Sequence, residues 1–166
     1  MLYLLDANVL IDANRDYYSI QRVPEFWDWL IYMGQSGFIK VPLEVIEEIE
    51  AFDDDLAAWV KTVQVRDALL LAEDADVGLV AKVTTEGYAP DLTDIEVEKI
   101  GRDPFIAAYG LADLGQRCVV TTEVSRPSAQ RGNRKLPDVC KHFGVSACNT
   151  FKLVRDLDFK TGWKSP

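Results

Sequence analysis

The stretch Tyr3-Leu4-Leu5-Asp6-Ala7-Asn8-Val9-Leu10-Ile11-Asp12 restricts the fold more than any other: an apolar run breaks abruptly onto a carboxylate and an amide. A buried strand ends this way when it delivers polar side chains to the rim of a sheet. In open α/β sheets the crevice beyond the carboxyl ends of the strands is where ligands bind, which places Asp6 where chemistry is usually done. The competing reading is that Asp6 and Asn8 only start a helix, since Asp and Asn are good N-caps. Both readings suit this segment, and the remaining carboxylates must decide between them.

Three further short apolar runs read as strands: Phe38-Ile39-Lys40-Val41, stopped by Pro42; the β-branched run Cys118 to Thr122; and Val145-Ser146-Ala147. Helical patterns fill the intervals. They cover Val23 to Met33, about Leu43 to Phe52, and a helix opened by Asp53-Asp54-Asp55 that carries Leu56, Trp59 and Val60. A less clean helix or helix pair follows from around Arg66 to about Gly87, then Asp91 to Ile100, Phe105 to Leu114, Asp138 to Phe143 and about Thr150 to Leu157. The aspartate triplet is accounted for by the dipole of the helix it opens. This alternation predicts an α/β fold: a central parallel sheet of about four short strands with helical crossovers. Residues 1–159 are expected to form one domain, with 160–166 a frayed tail on which Trp163 has the means to dock. The rings of Phe26, Trp27 and Trp29 suit either the core or a dimer interface.

At 166 residues, 48% hydrophobic and 27% charged, the chain has enough material for one ordinary core. Cys118, Cys140 and Cys148 are odd in number and form no CxxC pair, so they read as reduced, small hydrophobes. The single histidine, His142, reads as a surface or half-buried side chain, and one histidine makes His-based nucleophilic mechanisms hard to assemble. No apolar run reaches the length of a membrane span, and Met1 leads straight into the first strand, so a soluble, cytoplasmic protein with no membrane partner is expected. The net charge of −9 opposes non-specific nucleic-acid binding by the whole surface. A divalent cation or a local basic loop would have to offset it. Such a loop is present in Ser125 to Lys135, which carries Arg126, Arg131, Arg134 and Lys135 and no acid.

Parallel strands share one carboxyl edge, so Asp6 and Glu123, which follow the first and third runs, belong together. A helix that precedes a strand runs back from that edge, which puts Asp103 on the same rim. In the middle helix, at about 100° per residue, Val45, Ile46, Ile49 and Phe52 define the buried face. Glu48 borders that face most closely, Glu44 and Glu50 lie further round, and Glu47 points away, so Glu48 is the chosen fourth acid. Each acid also has a plain structural role open to it. Asp103 followed by Pro104 is a standard helix start, while Glu48 and Glu123 could be solvated charges. Four converging carboxylates would raise one another's pKa values. Bound Mg²⁺ or Mn²⁺, ions that prefer hard oxygen ligands, would relieve the repulsion, and two such ions can activate a water and steady the leaving oxygen of a phosphodiester.

LLDANVLID at the start, the EEI segment at Glu47 to Ile49, the DPFIAAYGLADLG helix and the following VVTTE together resemble the PIN domain, the nuclease fold of VapC-type toxins. The resemblance spans Leu2 to Leu157, and VVTTEV, the basic tract and LPDVCKHFGV are similar to an uncharacterised prokaryotic PIN-like branch. It implies a three-layer α/β/α fold and a metal-dependent endoribonuclease with Asp6, Glu48, Asp103 and Glu123 as its catalytic and metal-binding acids. Asn8 and Thr121 match the family's supporting polar positions. The fourth acid is more often Asp in that family, so Glu123 is a departure. The resemblance also implies a toxin of a toxin–antitoxin pair, with RNA as substrate gripped by Arg126, Arg131, Arg134 and Lys135, a cognate antitoxin as partner, and a homodimer. Two alternatives stand beside it: an inactive PIN-like binding module regulated by a protein partner, and a DNA-directed nuclease, which the lack of a long arch or helical clamp disfavours.

Overall fold

The structure is a computed structural model that describes residues 1–165; Pro166, the end of the expected tail, lies outside the described residues. The chain forms a four-stranded, wholly parallel sheet flanked by helices, a three-layer α/β/α arrangement. The strands are β1 (Leu2–Leu5), β2 (Ile39–Lys40), β3 (Arg117–Val120) and β4 (Ser146–Cys148), in the order β2-β1-β3-β4. Pairing sets Tyr3 against Ile39, Leu5 against Val120, and Val120 against Cys148. The crossover from β1 goes to one side of the sheet and β3 lies on the other, so the switch point falls between β1 and β3. That is where an open α/β sheet splits its flanking helices and leaves a crevice.

The expected helices form with shifted ends. After β1 come α1 (Ala7–Asp12), a π-helical turn at Ala13–Tyr17, and α2 (Pro24–Gln35). Between β2 and β3 run α3 (Leu43–Glu50), α4 (Asp55–Val60), α5 (Val63–Leu69), α6 (Val77–Lys82), a second π-helical segment at Val83–Tyr88, α7 (Asp94–Ile100) and α8 (Asp103–Ala112). The last are α9 (Leu136–His142) and α10 (Thr150–Asp156). The expected helix from Arg66 to Gly87 is broken in the middle. Leu70 and Leu71 leave α5 to pair with Val41, with Val41 N–H donating to the Leu69 carbonyl at 2.7 Å and Leu71 N–H to the Val41 carbonyl at 3.0 Å. Asp76 then accepts from Leu79 N–H and restarts the chain as α6. β3 is also shorter than expected: Thr121 and Thr122 have left the strand.

One apolar core joins the sheet to both helical groups. Helices α2 and α5 pack on each other and on β2, while α8 and α9 pack on each other and on β3 and β4. Phe26, Trp27 and Trp29 are at most 2% exposed, so the aromatic face of α2 belongs to this core and is not open to a second copy. Gly34 lets α2 and α5 approach closely, since a Cβ there would stand 2.6 Å from the Ala68 carbonyl oxygen. Trp163 rests on α2, donating to the Glu25 carbonyl at 3.0 Å with its ring 4.9 Å from Tyr32. No helix among the described residues is long and apolar enough to cross a membrane. All three cysteines are free thiols, with Cys118 and Cys140 buried.

Candidate functional site

The registry of β1 and β3 builds the site. Because Leu5 faces Val120, the next residue of each chain, Asp6 and Thr121, leaves the sheet side by side at its carboxyl edge. Asp6 N–H still bonds the Val120 carbonyl at 3.0 Å. Asp6 occupies the N-cap position of α1, but its side chain makes no capping hydrogen bond. Its Oδ2 instead accepts from Thr121 Oγ1 at 2.9 Å, and both residues are buried. Thr121 Oγ1 in turn accepts from Glu123 N–H at 3.2 Å, which ties the loop after β3 to the end of β1.

Asp103 is the first residue of α8, and the cap position belongs to Arg102, one residue earlier than expected. The aspartate carboxylate is therefore not occupied as a helix cap. Burial, and then the charges of Asp6, Glu123 and Glu48, push Asp103 up to about 8. Burial also leads at Asp6, opposed by the Thr121 bond and reinforced by Glu48 and Glu123, and pushes it up to about 6. Like charges raise a carboxyl pKa, so Asp6 and Asp103 both register the acids at this edge of the sheet.

Helix α3 packs on α1 and supplies Glu48. Exposed on the rim, it is still desolvated on its site-facing side, which raises its carboxyl, with Arg102 pulling the other way. Its neighbours have other attachments. Glu47 pairs with Arg102 at 3.9 Å, Glu50 pairs with Arg66, and Glu44 accepts from the Tyr109 hydroxyl at 3.4 Å.

Glu123 is doubly engaged. Its Oε2 accepts from Leu136 N–H at the start of α9 at 2.7 Å, and its Oε1 stands 3.6 Å from Lys135 Nζ. Asn8 is exposed on α1 and makes no side-chain hydrogen bond to Asp6 among the described residues, whereas Thr121 does. Asp12, likewise, is paired with Arg15 at 2.9 Å.

Beside the acids opens a cavity of about 640 Å³, lined by Asp103, Glu123, Arg126, Arg131, Arg134 and Lys135 among others. The basic tract thus faces the acids, but its members differ. Arg131, at a left-handed φ of 55°, is clasped by Glu96 and Asp91 at 2.9 and 2.7 Å, which neutralises it. Arg134 donates to the Gly87 and Asp138 carbonyls and keeps its charge. Arg126 bonds Asp138 Oδ2 through its main-chain N–H at 2.6 Å, while its guanidinium enters no ion pair among the described residues.

Several participants were invisible in the sequence. Tyr88 and Cys140 lie close enough to feel the charge of Asp103, and burial together with Asp103 and Asp6 pushes the Cys140 thiol up to about 12. Asp138, buried in α9, holds the loop through Ser125 and Arg126.

Among the described residues no three His, Cys, Asp or Glu side chains stand close enough to form a ready-made metal cage. The donor chemistry nonetheless suits a hard divalent cation: carboxylate oxygens that repel one another, with no imidazole among them and with the nearby thiol protonated. The nearby cations lie at its edges, Arg102 acting on Glu48 while paired with Glu47, and Lys135 beside Glu123.

A model of a family described as a domain of unknown function (DUF4411) matches residues 3–161. No curated protein and no solved structure matches the chain. With nearly its whole length matched, the chain belongs to the DUF4411 family.

Proposed function

We propose that this protein is a divalent-metal-dependent endoribonuclease of PIN type that hydrolyses RNA phosphodiester bonds. One observation carries the reading: at the switch point of the sheet the charges of Glu48 and Glu123 raise the carboxyls of both Asp6 and Asp103, beside a cavity walled by basic side chains. Such a site is chemically unusual unless a cation neutralises it.

Asp6, Glu48 and Asp103 would hold Mg²⁺ or Mn²⁺, with Glu123 at the flank. When bound, an ion of this kind activates a water and steadies the leaving oxygen of a phosphodiester. The chain's own residues do the rest. Thr121 fixes the Asp6 carboxylate from behind, and burial keeps bulk water from that face. Burial beside the other acids raises the Asp103 carboxyl, and a bound cation would favour its charged form. Arg126, Arg134 and Lys135 bind flanking phosphates and offset locally the net charge of −9. Arg131 holds the shape of the loop through Glu96 and Asp91.

The PIN resemblance carries the further proposals of a cytoplasmic toxin, a protein antitoxin and a homodimer. The test of the core reading is cleavage of structured and single-stranded RNA by chelator-stripped protein resupplied with Mn²⁺. Cleavage that needs Mn²⁺ and is lost in Asp6→Asn supports it; cleavage that persists unchanged in Asp6→Asn ends it, and cleavage of DNA alone replaces the substrate.

A second reading, a binding module that no longer turns over substrate, is favoured by the double engagement of Glu123 with Leu136 and Lys135. Calorimetry separates the two: a module of this sort takes up no Mn²⁺ but binds its protein partner tightly.

A further inference from the structure

Tyr88 ends the π-helical segment Val83–Tyr88 and is 6% exposed. Its hydroxyl oxygen is buried with no hydrogen-bond partner among the described residues. A phenylalanine would fill the same space, and a buried hydroxyl left unpaired costs about 1–3 kcal/mol. No protein atom stands at full hydrogen-bond distance from the oxygen, yet it lies close enough to the Asp103 carboxyl to favour that group's charged form. Of the charges around it Asp103 acts most strongly, then Glu123, and the phenol in turn works against burial at Asp103.

The ring is held in place by its neighbours. A Cβ at Gly87 would stand 2.9 Å from both Phe143 and Val139, so glycine is what lets this turn close on α9. Arg134 donates to the Gly87 carbonyl from the far side of the turn. Ala89 N–H closes the segment onto the Thr84 carbonyl at 3.1 Å. Helical segments of π type are rare and concentrate at functional sites, because the extra residue re-aims a side chain. Here the segment packs against α8, the helix that Asp103 opens, and the side chain at its end is a phenol.

We propose that Tyr88 is a positioning residue of the acidic site, its hydroxyl donating to a carboxylate oxygen of Asp103 and so fixing which side of that carboxylate is turned to a bound cation. The assignment rests on the metal-site reading given above. Groups that orient a ligand in this way change metal affinity without touching the metal.

The experiment titrates chelator-stripped wild type and Tyr88→Phe with Mn²⁺, followed by electron paramagnetic resonance, and crystallises both without metal. Mn²⁺ affinity is expected to fall about tenfold in the variant, while the thermal midpoint falls by only a few degrees, the loss of one buried hydrogen bond. In the wild-type crystal Asp103 takes one rotamer with an oxygen about 2.7 Å from the phenol; in the variant it takes several. Equal Mn²⁺ affinities overturn the assignment. Wild-type protein that takes up no Mn²⁺ overturns the metal-site reading instead, and the Asp103 rotamers then decide the role of Tyr88 alone: one shared rotamer in both crystals rejects it, and loss of order in the variant upholds it.

Discussion

Thr121 and Asp6 are joined by a 2.9 Å hydrogen bond between two buried side chains, across a separation of 115 positions in the sequence. The bond exists because β1 and β3 are adjacent and in register, so it reports the correctness of the sheet and the geometry of the site together. Thr121→Val keeps the volume but removes the donor. It is expected to destabilise the protein by about 1–2 kcal/mol, to weaken Mn²⁺ binding about tenfold or more, and to be rescued by Thr121→Ser. Urea denaturation and Mn²⁺ titration of the three proteins check this.

The raised carboxyls at Asp6 and Asp103 set the sign of a pH effect in the metal-free protein. Each binds its proton more tightly folded than unfolded, so its contribution to stability is fully present below the ordinary aspartate value near 3.8 and is lost as pH rises through about 6 and about 8 respectively. Asp103→Asn cannot ionise. In the presence of chelator it is expected to match the wild type near pH 4 and to be the more stable by on the order of 2 kcal/mol at pH 8. Thermal scans across that range measure the difference; a gap that is constant with pH rejects the burial of Asp103 among like charges.

Glu48 and Glu47 are adjacent and both near Arg102, but only Glu47 forms an ion pair with it, while Glu48 acts on the carboxyls of Asp6 and Asp103. Glu48→Gln is expected to lower Mn²⁺-dependent RNA cleavage about a hundredfold with little change in stability, whereas Glu47→Gln leaves cleavage as it is. Equal losses in the two variants would remove Glu48 from the site.

Arg126 and Arg131 offer a similar contrast within the basic tract. Arg126→Ala is expected to reduce the salt dependence of RNA binding by about one unit in the log–log slope, with an unchanged melting temperature. Arg131→Gln breaks the clasp on Glu96 and Asp91, so its expected effect is faster hydrogen exchange and proteolysis across 126–135. Protease mapping and filter binding at several salt concentrations distinguish the two behaviours.

The sheet and most helices were legible because their signals are local. The apolar runs at Tyr3 to Leu5 and Cys118 to Val120 and the 3.6-residue spacing of Val45, Ile46 and Ile49 need no knowledge of the rest of the chain. The same arithmetic distinguishes Glu48 from Glu47; in the structure Glu47 forms the ion pair with Arg102, while Glu48 acts on the carboxyls of Asp6 and Asp103. What was not legible depends on distant partners. Leu70 and Leu71 leave their helix only because Val41 waits at the sheet edge. Arg131 reads as a free cation until Glu96 and Asp91 are brought beside it by α7. The exposure of Asn8 likewise depends on the helical turn of α1, which carries it to the surface. Tyr88 gave only the sign of a chain break before Pro90; its use depends on a π-helical turn that propensity does not foretell.

The bond from Leu136 N–H to Glu123 Oε2 has a consequence for measurement. One carboxylate is shared between the first turn of α9 and the acidic site, and any ligand that draws it inward must loosen the helix by an equal free energy, since such coupling is reciprocal. The amide of Leu136 is therefore a built-in gauge of occupancy: its proton resonance and exchange rate will track the filling of a site that has no colour or fluorescence of its own.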